Sequence, residues 1–325
     1  MEMMRRAIID VGTNSVKLLV ADVKGRDVVP IHEESRQTRL GQGFYQTNRL
    51  QPENLAHTAE AVWEFDQIAR DKGALGVRVV ATSAARDALN PEDLTVCIER
   101  ACGLKTEIIS GAKEAEWAFQ GVTTDPELAG HPLAILDVGG GSTEWVVGQG
   151  RIKLFGHSFP LGTVRLFEKF PHQDPPTQAE FETCREWVRQ FLRREVRPLV
   201  DPACQRINGE LRLVGTGGTT SILARVDQGL DLFDRKRIDR AQLAFERIQE
   251  HRQKLWSLPL AERRLIPGLP KQRADIILSG VLIFEEVMAE FGFRTLRVST
   301  RGLRFAAVMD PDFVHGPRDR EVVPS

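Results

Sequence analysis

Apolar residues run from Ala7 to Ile9, meet Asp10, and resume at Val16 after the polar turn Gly12-Thr13-Asn14-Ser15. The same order returns far downstream. "AIIDVGTNSVKLLV" (Ala7 to Val20) and "AILDVGGGSTEWVV" (Ala134 to Val147) match at one constant offset in Ala, Ile, Asp, Val, Gly and Ser. Each stretch predicts strand, tight turn and strand, because a β-branched run enters an Asp and a Gly-rich turn before apolar residues resume. Self-similarity at long offset implies two related units rather than a short-period solenoid.

Between and after the hairpins, strand patterns alternate with helical ones. A third β-like run covers Val28 to Glu33, and Leu50 to Gly73 carries apolar residues at helical spacing up to a terminal glycine. Val77 to Gly103 reads as a strand, a Ser/Ala turn and a helix restarted at Asn90-Pro91, where Asn suits the cap and Pro the first turn. A strand then runs to Ile109, Ser110-Gly111 turns, and a short helix passes through Glu114 and Phe119. "TDPELAGHP" (124–132) is rich in turn formers and predicts a linker before the second hairpin. Beyond it, Thr177 opens a long amphipathic helix to about Arg197, ended by Pro198. "LRLVGTGGTTSILARV" (211–226) is strand, Gly turn and helix, and "TLRVST" (295–300) is one further strand in a mostly helical remainder. The pattern is α/β in two lobes, each led by a similar hairpin.

A chain of 325 residues is too long for one ordinary core and suits two domains. With 42% apolar and 27% charged residues it is not disordered, and no stretch approaches the roughly 18 uninterrupted apolar residues of a membrane helix. Asp10 follows Arg6 too closely for a secretory apolar segment, so a cytoplasmic protein is expected. The net charge of −1 gives no global attraction to nucleic acid or anionic membrane. Cys97, Cys102, Cys184 and Cys204 have neither CxxC spacing nor a His cluster, so buried small hydrophobes are expected. The polar tail after Asp310 is expected to fray.

Three consecutive glycines lose much backbone entropy on folding, which implies a backbone that must approach something closely. Successive N–H groups in such turns form nests for anions such as phosphate. Gly12-Thr13-Asn14-Ser15 and Gly139-Gly140-Gly141-Ser142 both have this character, with hydroxyls as further donors, and "GTGGTT" (215–220) is a third candidate through Gly217, Gly218 and Thr219. Each hairpin turn is entered from an Asp, Asp10 or Asp137. A carboxylate beside a phosphate repels it unless a divalent cation lies between them, which points to Mg²⁺ or a similar ion; the plain alternative is that Asp-X-Gly only supplies turn chemistry.

These residues resemble the actin-like ATPase superfamily of sugar kinases, heat-shock chaperones and actin. Adding "EIISGAKEAEWAFQGV" (107–122), "ATSAARDALN" (81–90), "VGTGGTT" (214–220) and "RADIILSGVLIFEEV" (273–287), the chain looks like the Ppx/GppA family of exopolyphosphatases and guanosine pentaphosphate phosphohydrolases, with motifs in order to Met309. The resemblance implies two actin-like, ribonuclease H-like lobes with a cleft between them. The first comprises 1–126 with about 303–325, the second 127–302, and hinges lie near 123–132 and 300–303.

It also implies site residues. Glu114 matches the family's catalytic base, and Glu144 is assigned to metal or water ordering; otherwise each would be an ordinary solvated carboxylate. Arg86 and Lys17 are candidate phosphate cations, Arg86 through its guanidinium fork, while Lys17 stands where the family commonly has Arg. Thr143 and Arg273 complete the substrate set. Lys113 replaces an acidic residue common in relatives, and none of the seven His is followed by Asp, so an HD-type C-terminal domain is not expected. Arg189, Arg193, Arg194 and Arg197 on one helix read as a solvated face paired with acids. Arg263, Arg264, Lys271 and Arg273 either line a polyanion channel or do the same.

The expected activity is metal-assisted hydrolysis of the terminal phosphate of polyphosphate or of pppGpp. The alternatives are an ATP-dependent kinase of the same superfamily and a non-hydrolytic alarmone sensor. No nucleic acid or membrane partner is expected, and the sequence leaves a homodimer open.

Overall fold

Both predicted hairpins form in the computed structural model, which describes residues 2–313. The polar tail falls, from residue 314 on, outside the described residues. The chain divides into two units, 2–117 with 303–313 and 118–302.

In the first unit β1 (Met4–Val11), β2 (Ser15–Lys24) and β3 (Asp27–Gln37) form an antiparallel meander. The short α1 (Phe44–Thr47) and long α2 (Pro52–Asp71) follow, then β4 (Gly76–Ala81), α3 (Ser83–Asp87), α4 (Pro91–Cys102), β5 (Thr106–Ile108) and α5 (Gly111–Val122). The sheet order is β3-β2-β1-β4-β5, with β4 parallel to β1 and to β5.

The second unit repeats the plan. β6 (Pro132–Val138), β7 (Thr143–Gln149) and β8 (Ile152–Phe159) form the meander, followed by α6 (Thr163–Lys169), α7 (Gln178–Phe191) and α8 (Arg197–Cys204). β9 (Arg212–Thr216), α9 (Gly217–Gln228), α10 (Arg235–Ile238), β10 (Gln242–Ala244), α11 (Phe245–Ser257), α12 (Leu260–Arg263), α13 (Ile277–Phe291) and β11 (Thr295–Val298) complete it, in sheet order β10-β11-β9-β6-β7-β8. Finally α14 (Leu303–Met309) packs on β1 and β2 of the first unit.

The unbroken apolar runs have a simple cause. Ala7, Ile9 and Val11 join the cluster under α2 and α4, while Ile8 joins a cluster with Trp117 and α14 residues, so β1 is buried on both faces and needs no polar alternation.

Several elements differ from the expectations. β3 reaches Gln37 because its polar residues pair along β2, a signal that hydrophobicity does not carry. Asn90 does not cap α4; its amide instead holds the Leu50 backbone, accepting from Leu50 N at 2.9 Å and donating to Leu50 O at 3.1 Å. Thr177 does open α7, in a reciprocal capping box with Glu180. That helix does not stop before Pro198: a π-turn (Leu192–Val196) absorbs the register change, and Pro198 occupies the first turn of α8, where a missing N–H is tolerated. The 124–132 segment is ordered around Asp125, which accepts from Glu127 N at 3.0 Å and meets Arg297 at 3.5 Å. The division between units falls inside α5, upstream of that segment, because turn formers mark where a helix ends and not where its packing partners change.

Asp310, just past α14, ties the end of the first unit to its sheet and to α5. Its carboxylate lies 3.2 Å from Arg78 and 3.3 Å from Lys113. Burial alone would raise the Asp310 carboxyl, but the Asp312 N–H and the Lys113 and Arg78 cations outweigh burial and hold it below the usual range. A depressed carboxyl contributes stability above the unfolded-state value of about 3.9 and loses it as pH falls through the folded-state value. Asp310→Asn is therefore expected to lower stability by about 2 kcal/mol at neutral pH, with the deficit shrinking as pH falls below about 4. Urea midpoints of both proteins at pH 7 and pH 3 check this; an equal deficit at both would refute it.

Candidate functional site

A planar trans peptide points its C=O and the following N–H in opposite directions, so whatever claims a turn's carbonyls also aims its amides. In the first hairpin Gly12 N donates to Ser15 O at 3.0 Å, closing the turn. Thr13 O then accepts from Gly41 N at 2.7 Å and Asn14 O from Arg39 N at 3.0 Å, which turns the N–H groups of Asn14 and Ser15 the other way. The second hairpin does the same with other partners. Gly139 N closes the turn to Ser142 O at 2.9 Å, Gly139 O accepts from Thr163 N at 2.9 Å, and Gly140 O accepts from Val164 N at 2.8 Å. Gly141 O accepts from Arg165 Nε at 2.8 Å. The N–H groups of Gly140, Gly141 and Ser142 consequently face together, away from α6, as a nest requires. This approach is close enough that a Cβ on Gly162 would overlap the Gly140 carbonyl.

The third Gly-rich turn opens α9. Gly217 has φ +85°, and a Cβ there would overlap Asp137 Oδ1, so the helix start lies directly against that carboxylate. Thr219 Oγ1 donates to Val138 O at 2.8 Å and fastens the first turn of α9 to the second hairpin. Gly218 follows Gly217 in that turn.

The carboxylates entering the two turns have different surroundings. Asp10 pairs across the ladder with Lys17, and Asp137 with Glu144, the same position in each hairpin. Burial raises the Asp10 carboxyl, opposed by the charges of Lys17 and Arg304. Glu144 is 2% exposed, and its Oε1 accepts from Ser142 Oγ at 2.9 Å and Ser158 Oγ at 2.7 Å, so it is no solvent-facing strand residue. Directly opposed like charges destabilise a sheet unless a cation or donors compensate, and the Asp137–Glu144 pair accordingly fits a divalent ion. Among the described residues no cluster of three or more His, Cys, Asp or Glu could hold a metal ion.

Glu114 lies in the first turn of α5, where its N–H bonds Ser110 O at 3.0 Å. Its side chain is 12% exposed and meets Arg86 Nη1 at 2.9 Å. Arg86 Nη1 also donates to Ile109 O at 3.3 Å, so the guanidinium joins α3 to the start of α5. Lys113 points to Asp310 and lies 4.8 Å from the Trp117 ring centroid.

Some predicted site residues also have scaffold contacts. Asn14 Nδ2 donates to Gln37 at 2.7 Å, and Thr143 Oγ1 donates to Leu161 O at 2.5 Å. Arg273 is buried in a short 3₁₀ turn ahead of α13. Arg189, Arg193 and Arg197 pair with Glu286 and Glu290 of α13, and Arg263 is buried against Asp174. Sequence reasoning missed three supporting residues. Arg165 holds the Gly141 carbonyl, Ser158 holds Glu144, and Arg304 sits near Asp10 while donating to Leu18 O at 2.8 Å. None of them lies in a Gly-rich turn, and only their distance in the fold from those turns identifies them.

Among the described residues no helix is long and apolar enough to cross a membrane. The family model of the Ppx/GppA phosphatase family matches residues 19–310. Exopolyphosphatase 2 of Mycobacterium tuberculosis is 35% identical over 301 residues, covering 89% of this chain and 92% of the relative. A Ppx/GppA enzyme of Aquifex aeolicus superposes with TM-score 0.76 at 30% identity, covering 95% of this chain and 99% of that one. An exopolyphosphatase from Cytophaga hutchinsonii superposes with TM-score 0.83 at 25% identity, covering 93% and 96%. With its paired hairpins, Gly-rich turns and Arg86–Glu114 contact, this α/β chain belongs to the Ppx/GppA phosphatase family.

Proposed function

We propose that the chain is an exopolyphosphatase, releasing the terminal phosphate of inorganic polyphosphate by attack of water, with the 5′-phosphate of pppGpp as a second substrate. The observation that carries the reading is the Arg86–Glu114 contact at 2.9 Å: a largely buried carboxylate, oriented from one side by a guanidinium, is what a water-activating base needs. The nests of Gly12-Thr13-Asn14-Ser15, Gly139-Gly140-Gly141-Ser142 and Gly217-Gly218-Thr219 bind phosphoryl oxygens through backbone N–H groups. They recognise phosphate whatever it is attached to, which accommodates both substrates. Lys17 adds positive charge.

Asp137 with Glu144, and Asp10 in the first unit, are the carboxylates proposed for a divalent cation, Mg²⁺ by its preference for few carboxylates and shared phosphate oxygens. When bound, such an ion neutralises charge on the transferring phosphoryl group. The chain's own residues do the rest: Glu114 takes the proton of the attacking water, Arg86 keeps Glu114 aimed, and the nests hold the phosphate so that the leaving oxygen is in line.

Phosphate release from long-chain polyphosphate, pppGpp and ATP, with Mg²⁺, tests the reading. Glu114→Gln is expected to lose about 10²- to 10⁴-fold in kcat on the preferred substrate while the Arg86 side chain stays folded in place. Near-full turnover by that variant would remove Glu114 as base, and no release by the unmodified protein from any of the three would remove the hydrolase.

Arg86→Ala combined with Glu114→Gln is expected to be strongly non-additive, the double variant losing little more than Glu114→Gln alone, because one residue works through the other. Additive losses would mean that Arg86 acts on substrate independently.

Because burial raises the Asp10 carboxyl, protons compete with a cation there at higher pH than at an ordinary Asp. The acid limb of kcat/KM is expected to move to lower pH as Mg²⁺ rises, and Asp10→Asn to abolish its dependence on Mg²⁺. An acid limb indifferent to Mg²⁺ in the unmodified protein would exclude Asp10 from cation binding.

A further inference from the structure

The second unit contains a cavity of about 770 Å³ that none of the phosphate-handling residues line. It opens at the ends where β9 and β11 begin, around Arg212 and Thr295, whereas Asp137 and Gly217 lie at the other end of the same sheet. β9 alone separates the two ends by roughly 13 Å of strand. Its size falls within the range of small-molecule sites.

The charges on its wall are unequally committed. Arg197 pairs with Asp201 and Glu290, each at 3.1 Å, and Arg297 with Glu127 at 3.1 Å and Asp125 at 3.5 Å, so both arginines are committed. Arg212 and Arg294 line the same cavity, and neither guanidinium has a hydrogen-bond or ion-pair partner among the described residues. Arg297 Nε is in addition buried without a hydrogen-bond partner. Glu210 is the remaining acid, so the uncommitted charge on the wall is positive.

The apolar part of the wall is also divided. Phe291 already packs on Trp145, with ring centroids 4.5 Å apart, and lies under Arg197 at 5.2 Å. Phe293 packs on the core of the second unit, is half-buried at the cavity wall, and has no ring or cation partner among the described residues. A bare phosphate would satisfy the two arginines and leave most of the volume and the Phe293 ring unfilled. A neutral ring would make no use of the two guanidinium groups, which are exposed at the cavity mouth.

We propose that this cavity binds an organic anion built on a flat ring, of the size of an aryl phosphate or nucleoside monophosphate, with Arg212 and Arg294 on the anionic group and Phe293 stacked on the ring. Fork-shaped guanidinium groups suit a phosphate or carboxylate, and an aromatic face suits any planar ring, so the site selects a chemical class rather than one base. The site is separate from the nests, and its failure would leave the phosphatase reading standing.

Isothermal titration of the full chain with phenyl phosphate, AMP and inorganic phosphate tests it. Phenyl phosphate and AMP are expected to bind about tenfold or more tightly than inorganic phosphate. Arg294→Ala should weaken both about tenfold, Arg294→Lys should recover part of that loss, and Phe293→Ala should erase the preference over inorganic phosphate. Phosphate release without added ligand is expected to be unchanged in these variants, which places the effect outside the nests. Equal affinity for all three probes, or ring-dependent binding that survives both Arg294→Ala and Phe293→Ala, would overturn the proposal.

Discussion

Everything the two hairpins can do with a phosphate depends on where their carbonyl oxygens go. Were the carbonyls of residues 139 to 141 free, thermal flips of these glycine peptides would bring negative oxygens toward an anion as readily as amides. The first-turn N–H groups of α6, ordinarily orphans at a helix start, prevent this by taking the Gly139 and Gly140 carbonyls, and Arg165 takes the third. The anion-binding capacity of a helix N-terminus is thereby passed outward by one layer, to the turn. In the first unit the segment around Arg39 and Gly41 does the same work without a helix, and Arg39 adopts φ +52° there. A left-handed non-glycine residue costs about 1 kcal/mol or more, which the surrounding hydrogen bonds offset.

The repeated hairpins diverge in one informative place. At the position facing the turn-entry Asp, the first unit has Lys17 and the second has Glu144. A facing lysine offsets the charge of Asp10, whereas Glu144 doubles the negative charge beside Asp137. The two hydroxyls on Glu144 Oε1 stabilise that carboxylate but bring no positive charge. The fold is repeated between the units, but the charge facing the turn-entry Asp is not.

Much of this was legible in the chain because it rests on local chemistry. The hairpins, their Asp residues and the start of α7 are written in runs of neighbouring residues. What stayed hidden depends on partners far apart in sequence. Nothing near Arg165 points back to Gly141, and nothing near Asn90 announces that its amide holds Leu50 instead of capping α4. The extent of β3 was missed because its polar residues are specified by pairing with β2. The helix expected to end before Pro198 continues because a π-turn, invisible to periodicity, places the proline where its missing N–H is harmless.

Lys113 shows the same limit and also why it matters. By its type, a lysine beside a candidate base either attracts an anionic substrate or simply faces solvent. Its ammonium meets Asp310 and the Trp117 ring, while Arg78 reaches the same Asp310 carboxylate and lies 5.1 Å from the centroid of that ring. The first turn of α5 is thus held on one side by Lys113 and on the other by the Arg86 contact to Glu114. Half-buried ion pairs are less screened than exposed ones, so each restrains the turn more than a surface pair would. A general base works only within hydrogen-bond reach of its proton, and a carboxylate on an unrestrained helix start would wander beyond that reach. The distant end of the chain, through Asp310, thus restrains the start of α5, the turn that carries Glu114. That restraint gives a physical reason for α14 to pack against β1 and β2.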